Sequence, residues 1–73
     1  MSGSRPRNEG LVRVLSMLRM FEARGRYTLA ELAAGFNVTT RTIRRDLVLL
    51  QGAGYPICHE ERDADGNWWL LQR

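Results

Sequence analysis

Two helix-start signals lie close together in the middle of the chain, and they restrict its fold more than any other feature. The segment from Thr28 to Glu31 has the spacing of a capping box, in which the threonine side chain accepts a hydrogen bond from an orphan amide and the glutamate reaches back. Thr39 is a second candidate N-cap, and Asn37 before it suits the positive-φ position of a tight turn. The sequence therefore predicts a short helix after Thr28, a turn around Asn37 and another helix over residues 40–51.

The flanking segments predict one more helix and two strands. Apolar residues recur at helical spacing over residues 9–24, and we expect the face that they form to pack inward. Its members are Leu11, Val14, Leu15, Leu18 and Phe21. Gly25 is predicted to end this helix in a left-handed conformation. After Pro56 the apolar period changes from 3.6 to 2, which predicts strands over residues 57–62 and 68–71 joined by a turn.

This order of elements predicts a mainly α fold with a small β-hairpin, a three-helix bundle plus a wing, which is the plan of a winged helix-turn-helix. Residues 9–73 are predicted to form one such domain, and residues 1–8, rich in Gly, Ser, Pro and Arg, to form a flexible basic arm. No apolar run approaches the roughly 20 residues needed to cross a bilayer, and no apolar region follows the basic start. The sequence thus predicts a cytoplasmic protein with no membrane partner.

The composition argues against metal, redox and catalytic chemistry. Cys58 is the only cysteine and His59 the only histidine, so an intrachain disulfide is excluded and a structural zinc site lacks ligands. We expect no metal and no cofactor. The sequence also has no nucleophile elbow or oxyanion-hole signature, and a chain this short leaves little room for a deep cleft. We therefore expect that the protein is not an enzyme.

The basic residues indicate an anionic partner. The formal net charge is +3, and all 11 basic residues are arginines, whose planar guanidinium groups suit phosphates and guanine edges. At about 100° per residue, the predicted helix over residues 40–51 has a stripe of apolar residues on one side, Ile43, Leu47 and Leu50. The opposite side carries Val48 and no acid, together with Arg41, Arg44 and Arg45. Asp46 lies beside the stripe, where we predict that it pairs with an internal arginine.

This pattern predicts sequence-specific binding of double-stranded DNA, with the helix over residues 40–51 in the major groove. Arginine can donate two hydrogen bonds to guanine, threonine can bond base edges or phosphates, and helix N-terminal amides attract phosphate. We predict base contacts from Thr40, Arg41, Arg44 and Arg45. We predict phosphate contacts from Tyr27, Thr28, Thr39 and Thr42. A merely solvated charged face is the alternative for any such helix, and the capped helix, turn and hairpin around this one favour DNA.

The segment from Thr28 to Ile57 resembles the N-terminal domain of DeoR-type and WYL-domain bacterial transcriptional regulators. Its most specific part is Arg41-Thr-Ile-Arg-Arg-Asp-Leu47, followed by Tyr55-Pro-Ile57, and the resemblance extends over about residues 9–71. The Tyr-Pro-Ile ending and the absence of a glycine-rich start to the wing favour WYL-domain regulators over DeoR-type regulators.

The resemblance implies roles for residues in the helices and the hairpin. Val38 and Ile43 would anchor the helix-turn-helix core, with Thr39 as the cap of the recognition helix. The wing would reach the adjacent DNA backbone or minor groove, where Arg62 is the only basic residue. On the last strand the resemblance places two residues inward beside Ile57 and two outward, namely Trp69 and Leu71 inward and Trp68 and Leu70 outward.

The chain departs from the family pattern at two places. Asn37 stands where the family usually has glycine, a substitution that the turn tolerates. The wing is acidic, which disfavours its contact with phosphate, through Glu60, Glu61, Asp63 and Asp65.

The resemblance also implies partners. Family members normally carry a C-terminal domain that binds an effector and helps the protein to dimerise, whereas this chain stops at Arg73. An excised DNA-binding domain and a complete small regulator both fit that ending. A homodimer is expected on DNA, because one such module reads only a half-site. The alternative function is a winged helix that binds another protein rather than DNA, which an outward Trp68, an outward Leu70 and the acidic wing would favour.

Overall fold

The computed structural model describes residues 9–60 and 66–72, and it contains three α-helices and a small antiparallel sheet. The helices are α1 (Glu9–Glu22), α2 (Leu29–Phe36) and α3 (Thr40–Gly52). The strands are β1 (Tyr27–Thr28), β2 (Ile57–His59) and β3 (Asn67–Leu70), in the sheet order β1-β3-β2. This is a winged helix-turn-helix, as the sequence predicts. The predicted basic arm, the wing residue Arg62 and most of the predicted turn lie outside the described residues.

The local helix signals of the central segment are confirmed. Thr28 Oγ1 accepts a hydrogen bond from the Glu31 amide at 3.0 Å, and Glu31 Oε1 accepts one from the Thr28 amide at 2.9 Å, which completes the capping box. Asn37 ends α2 in the left-handed conformation, with φ 56° and ψ 46°. Thr39 Oγ1 then accepts from the Thr42 amide at 3.2 Å and caps α3. Each signal involves residues within three positions of each other, so the sequence alone suffices to find it.

The end of α1 differs from the prediction. Arg24, not Gly25, takes the left-handed conformation, with φ 67°. The helix ends at Glu22, two residues before the predicted end at residue 24, and the Gly25 amide closes the turn by donating to the Met20 carbonyl at 3.3 Å. Gly25 is needed for a different reason, because a Cβ there would overlap the ring of Tyr27. The glycine thus supplies space for an aromatic side chain rather than a positive φ.

A single core joins the three helices and the sheet. Its buried members are Met17, Leu18, Phe21, Leu29, Leu32, Ala33, Ile43, Leu47, Leu50, Ile57 and Trp68. The predicted inner face of α1 is correct for Phe21 and Leu18 but wrong for Leu11 and Leu15, which are exposed. The rest of the core meets α1 on the side of Met17 and Phe21, so the buried stripe is rotated away from the two leucines. No helix in the described residues is long and apolar enough to span a membrane.

The sheet places the tryptophans opposite to the prediction. Trp68 is buried with 4% of its surface exposed, whereas Leu71 is 59% exposed and Trp69 only half-buried. Ile57 pairs with Leu70 across β2 and β3, and alternation puts Trp68 on the same face as Leu70. The expectation that Trp69 and Leu71 pack inward is therefore wrong.

The cause is a third strand that the sequence pattern did not reveal. β1 pairs with the other edge of β3, with Tyr27 opposite Trp68 and Thr28 opposite Asn67. Tyr27 packs against the core, so its partner Trp68 lies on the core face of the sheet, in agreement with the pairing of Ile57 and Leu70. β2 ends at His59 rather than at residue 62, and β3 begins one residue earlier than predicted, at Asn67.

Candidate nucleic-acid interface

Helix α3 has a buried side and an exposed basic side. Ile43 and Leu47 are completely buried and Leu50 is nearly so, as the helical spacing predicts. The side chains on the opposite side are exposed, and we call Arg41, Arg44 and Arg45 the arginine face. Thr40, at the first position of the helix, is exposed as well. The structure therefore presents the predicted base-reading residues together on one surface.

The only acid of α3 is turned away from the arginine face. Asp46 is 4% exposed, and its carboxylate oxygens accept hydrogen bonds from Arg13 of α1, at 2.5 Å from Nε and 3.3 Å from the terminal nitrogen. The hydrogen bond to Asp46 raises the pKa of Arg13, and the charges of Asp46 and Glu9 act in the same direction while burial opposes them. This confirms the predicted pairing of Asp46 with an internal arginine, and it identifies that arginine.

The arginine face itself has no acidic partner within the described residues. Within residues 9–60 and 66–72, Arg13 forms an ion pair with Asp46. No ion pair there involves Arg41, Arg44 or Arg45. Three cations close together without counter-charges repel one another, so an approaching polyanion lowers the electrostatic energy of this surface.

Threonine hydroxyls surround the start of α3. Thr39 is exposed and Thr42 half-buried, and their hydroxyl oxygens lie 3.1 Å apart in a mutual hydrogen bond. One hydroxyl hydrogen of the pair is used in that bond, which leaves the other able to donate to an anion. The amides of Thr40 and Arg41, in the first turn of α3, have no carbonyl acceptor within the helix. They too can therefore donate a hydrogen bond to an anion outside it.

The predicted phosphate contacts at the start of α2 also have structural roles. Thr28 is half-buried, and its hydroxyl oxygen accepts the capping bond while its hydrogen stays available. Tyr27 packs against the core, and its ring meets Phe21 edge-on with centroids 5.8 Å apart. Both residues lie in β1 or at its junction with α2, so strand pairing fixes their backbone.

The described part of the wing offers contacts that the sequence did not reveal. His59 stacks on Trp68 with ring centroids 4.2 Å apart and planes 17° from parallel. On the other face of β3, the Arg26 guanidinium lies 4.3 Å from the centre of the Trp69 ring. The adjacent tryptophans are the feature of the sequence that could have indicated these contacts. Only the strand register shows that Trp68 meets His59 and Trp69 meets Arg26. Arg62, the predicted wing contact, lies outside the described residues.

A rigid connection holds the wing against α3. Gly54 follows the helix at φ 103°, and the Tyr55 amide donates to the Leu50 carbonyl at 3.1 Å. The side-chain amide of Gln51 donates to the Ile57 carbonyl at 3.0 Å. These bonds tie the last turn of α3 to the start of β2 and fix the position of that strand relative to the helix end.

Comparison with protein families supports this geometry. A family model described as a helix-turn-helix (HTH) domain matches residues 13–62, more than half of the chain, from α1 past the end of β2. Comparisons with curated proteins and with solved structures found no match at the significance that we required.

Proposed function

The chain belongs to the HTH domain family, and from that premise we propose that it binds double-stranded DNA sequence-specifically as the DNA-binding domain of a bacterial transcriptional regulator. Family membership supports DNA as the partner. The observation that carries the finer proposal is the arginine face, exposed and without acidic partners in the described residues, on a helix whose other side is locked into the core.

Base reading falls to α3. Arginine is the side chain best suited to guanine, because its planar fork donates to both O6 and N7 in the major groove. Arg41, Arg44 and Arg45 supply this chemistry, and Thr40 at the helix start can bond a base edge or a phosphate. The buried stripe of α3 supports this role, since a helix anchored along its length holds its outer side chains in a fixed register against the groove.

Phosphate contacts fall to the helix starts. The hydroxyls of Thr28, Thr39 and Thr42 each serve or adjoin an N-cap, where orphan amides and the positive end of the helix dipole favour an anion. Tyr27 lies beside Thr28, and its hydroxyl is the polar group that would reach a neighbouring phosphate. Such contacts position the protein without reading sequence.

The resemblance to DeoR-type and WYL-domain regulators supports several finer proposals. The protein acts in the cytoplasm of a bacterium, binds as a homodimer to two half-sites, and works with an effector-binding C-terminal domain in the full-length regulator. Arg62 would contact the backbone or minor groove from the wing. The HTH match supports a helix-turn-helix domain and DNA as its partner. The regulator type, the dimer and the effector domain rest on the resemblance.

A second candidate function is protein binding without DNA. The burial of Trp68 removes one of its supports, but a different surface favours it: an apolar groove between α1 and α3 bordered by exposed Leu11 and Leu49. Exposed apolar patches of this kind mark interaction sites when they are contiguous.

Salt dependence separates the two functions. Titration of the protein into labelled random duplex at two salt concentrations should show affinity falling steeply with salt, with a slope of about −0.9 in log K against log salt for each phosphate contacted. An apolar protein interface hardly responds to salt. The informative variant replaces all three residues of the arginine face by alanine, and it should lose most of the binding.

The matched control is Arg19→Ala, which removes one charge from an exposed position on α1. It should bind as the parent does after the small effect of net charge is subtracted. Salt-independent binding by the parent protein, or equal losses per charge removed in the control and the triple variant, would contradict the proposed DNA interface.

A further inference from the structure

Val48 is an exposed aliphatic residue among the guanidinium groups of α3. It is 54% exposed and follows Arg44 by four positions and Arg45 by three, so the three side chains share one helix face. At about 100° per residue, Val48 lies about 140° from the buried Ile43. It belongs to neither the core nor the partly buried shell around it. Its methyl groups are therefore available at the surface proposed to enter the major groove.

The neighbouring Leu49 shows what an exposed apolar residue on this helix does elsewhere. Leu49 is 61% exposed, yet it borders the groove between α1 and α3 together with Leu11 and Val14. Val48 does not border this groove. Valine is also a weaker helix former than alanine or the long polar residues usual at solvated positions. Val48 thus packs against neither the core nor this groove, and helix propensity does not favour valine at its exposed position.

The DNA major groove offers one apolar group, the C5-methyl of thymine, and aliphatic side chains contact it. We propose that Val48 contacts a thymine methyl and so adds a requirement for an A·T pair next to the G·C pairs read by the arginine face. This inference rests on the proposed function and names one specificity determinant of the same site. Val48 lies about 4.5 to 6 Å along the helix axis from Arg45 and Arg44, or one to two base steps of about 3.4 Å.

The test removes the methyl group and nothing else. A duplex selected from a random library by the parent protein is resynthesised with each thymine in turn replaced by uracil. Burial of one methyl corresponds to about a fourfold change in affinity. The parent protein should bind about three to five times more weakly when one particular thymine of a half-site loses its methyl, and that thymine should lie one or two base pairs from a guanine required by Arg44 or Arg45.

Two protein variants, tested on the same thymine and uracil duplexes, show whether Val48 is the partner of the methyl group. Val48→Ala should bind the thymine and the uracil duplex equally, because the partner of the methyl is gone, whereas Leu49→Ala should keep the parent's discrimination. Both positions are exposed and alanine favours helix, so both variants should fold, which a circular dichroism melt verifies.

The failures are distinguishable. If the parent binds its selected duplex but no thymine responds to loss of its methyl, or if Val48→Ala keeps the response, the thymine contact is overturned while DNA binding stands. If the selection enriches no sequence at all, sequence-specific binding fails and the Val48 contact with it.

Discussion

The pair formed by Arg13 and Asp46 is the best site at which to perturb this fold. It joins α1 to α3 through two hydrogen bonds, and its two ends differ in burial. Asp46 is 4% exposed, whereas the side chain of Arg13 is 15% exposed and its long stem can carry the guanidinium to water. Removal of Arg13 should therefore cost more than removal of Asp46, since it strands the more deeply buried charge.

The magnitudes follow from that asymmetry. Breaking a buried ion pair costs about 3 to 5 kcal/mol of unfolding free energy. We expect about 3 kcal/mol for Arg13→Met, at the low end because the pair lies near the surface, and about 2 kcal/mol for Asp46→Leu. The double variant leaves no unpaired charge and should cost below about 2 kcal/mol, which gives a coupling energy of at least about 3 kcal/mol. A domain of this size is stable by only about 4 to 11 kcal/mol, so each single change should lower Tm by roughly 8 °C or more.

Urea unfolding measures these energies directly. Trp68 is buried in the core, so tryptophan fluorescence should report global unfolding of all four proteins. Costs that add to within about 0.5 kcal/mol would refute the reasoning, because independent sites add and paired sites do not. Both side chains point away from the arginine face. The folded variants should therefore bind DNA within about twofold of the parent at a temperature where each is fully native.

Three further predictions test the interface and the fold. Arg44→Ala should cost about 1 to 3 kcal/mol of binding free energy on the selected duplex and little on random duplex, as loss of a bidentate guanine contact should; equal losses on both would mean that Arg44 touches only phosphate. Arg24→Gly should raise the unfolding free energy by about 0.5 to 1 kcal/mol, since glycine adopts a positive φ without the steric cost of a side chain; a lower Tm would contradict this. Trp68→Ala should lower the unfolding free energy by about 3 to 5 kcal/mol, and Trp69→Ala, which removes a half-buried ring and its contact with Arg26, by clearly less; the reverse order in chemical denaturation would show that the tryptophans are exchanged.

Much of the functional surface could be read from local sequence signals. The capping box at Thr28 and the N-cap at Thr39 depend on atoms three residues apart, and the buried stripe of α3 depends only on helical periodicity. That periodicity also placed Asp46 beside the core and the arginines away from it. The DNA contacts of individual residues remain predictions, because they depend on a partner that the chain does not contain.

Other features could not be read locally. Asp46 needed an internal arginine, but its partner Arg13 lies 33 residues away, and only the packing of α1 on α3 selects it. The left-handed residue after α1 is Arg24, while Gly25 leaves room for the ring of Tyr27, a steric demand that local sequence signals do not show.

The order of the three helices and the hairpin, the starts of α2 and α3 and the two unlike sides of α3 were determined by the sequence alone, since hydrogen bonding within a turn and periodic burial act over a few residues. The tertiary structure decided which face of α1 and which tryptophan enter the core. Alternation along a strand requires that Trp68 and Trp69 lie on opposite faces of the sheet, but it does not determine which face packs against the core. The pairing of Tyr27 with Trp68 and of Ile57 with Leu70, which joins separate segments of the chain, puts Trp68 on the core side.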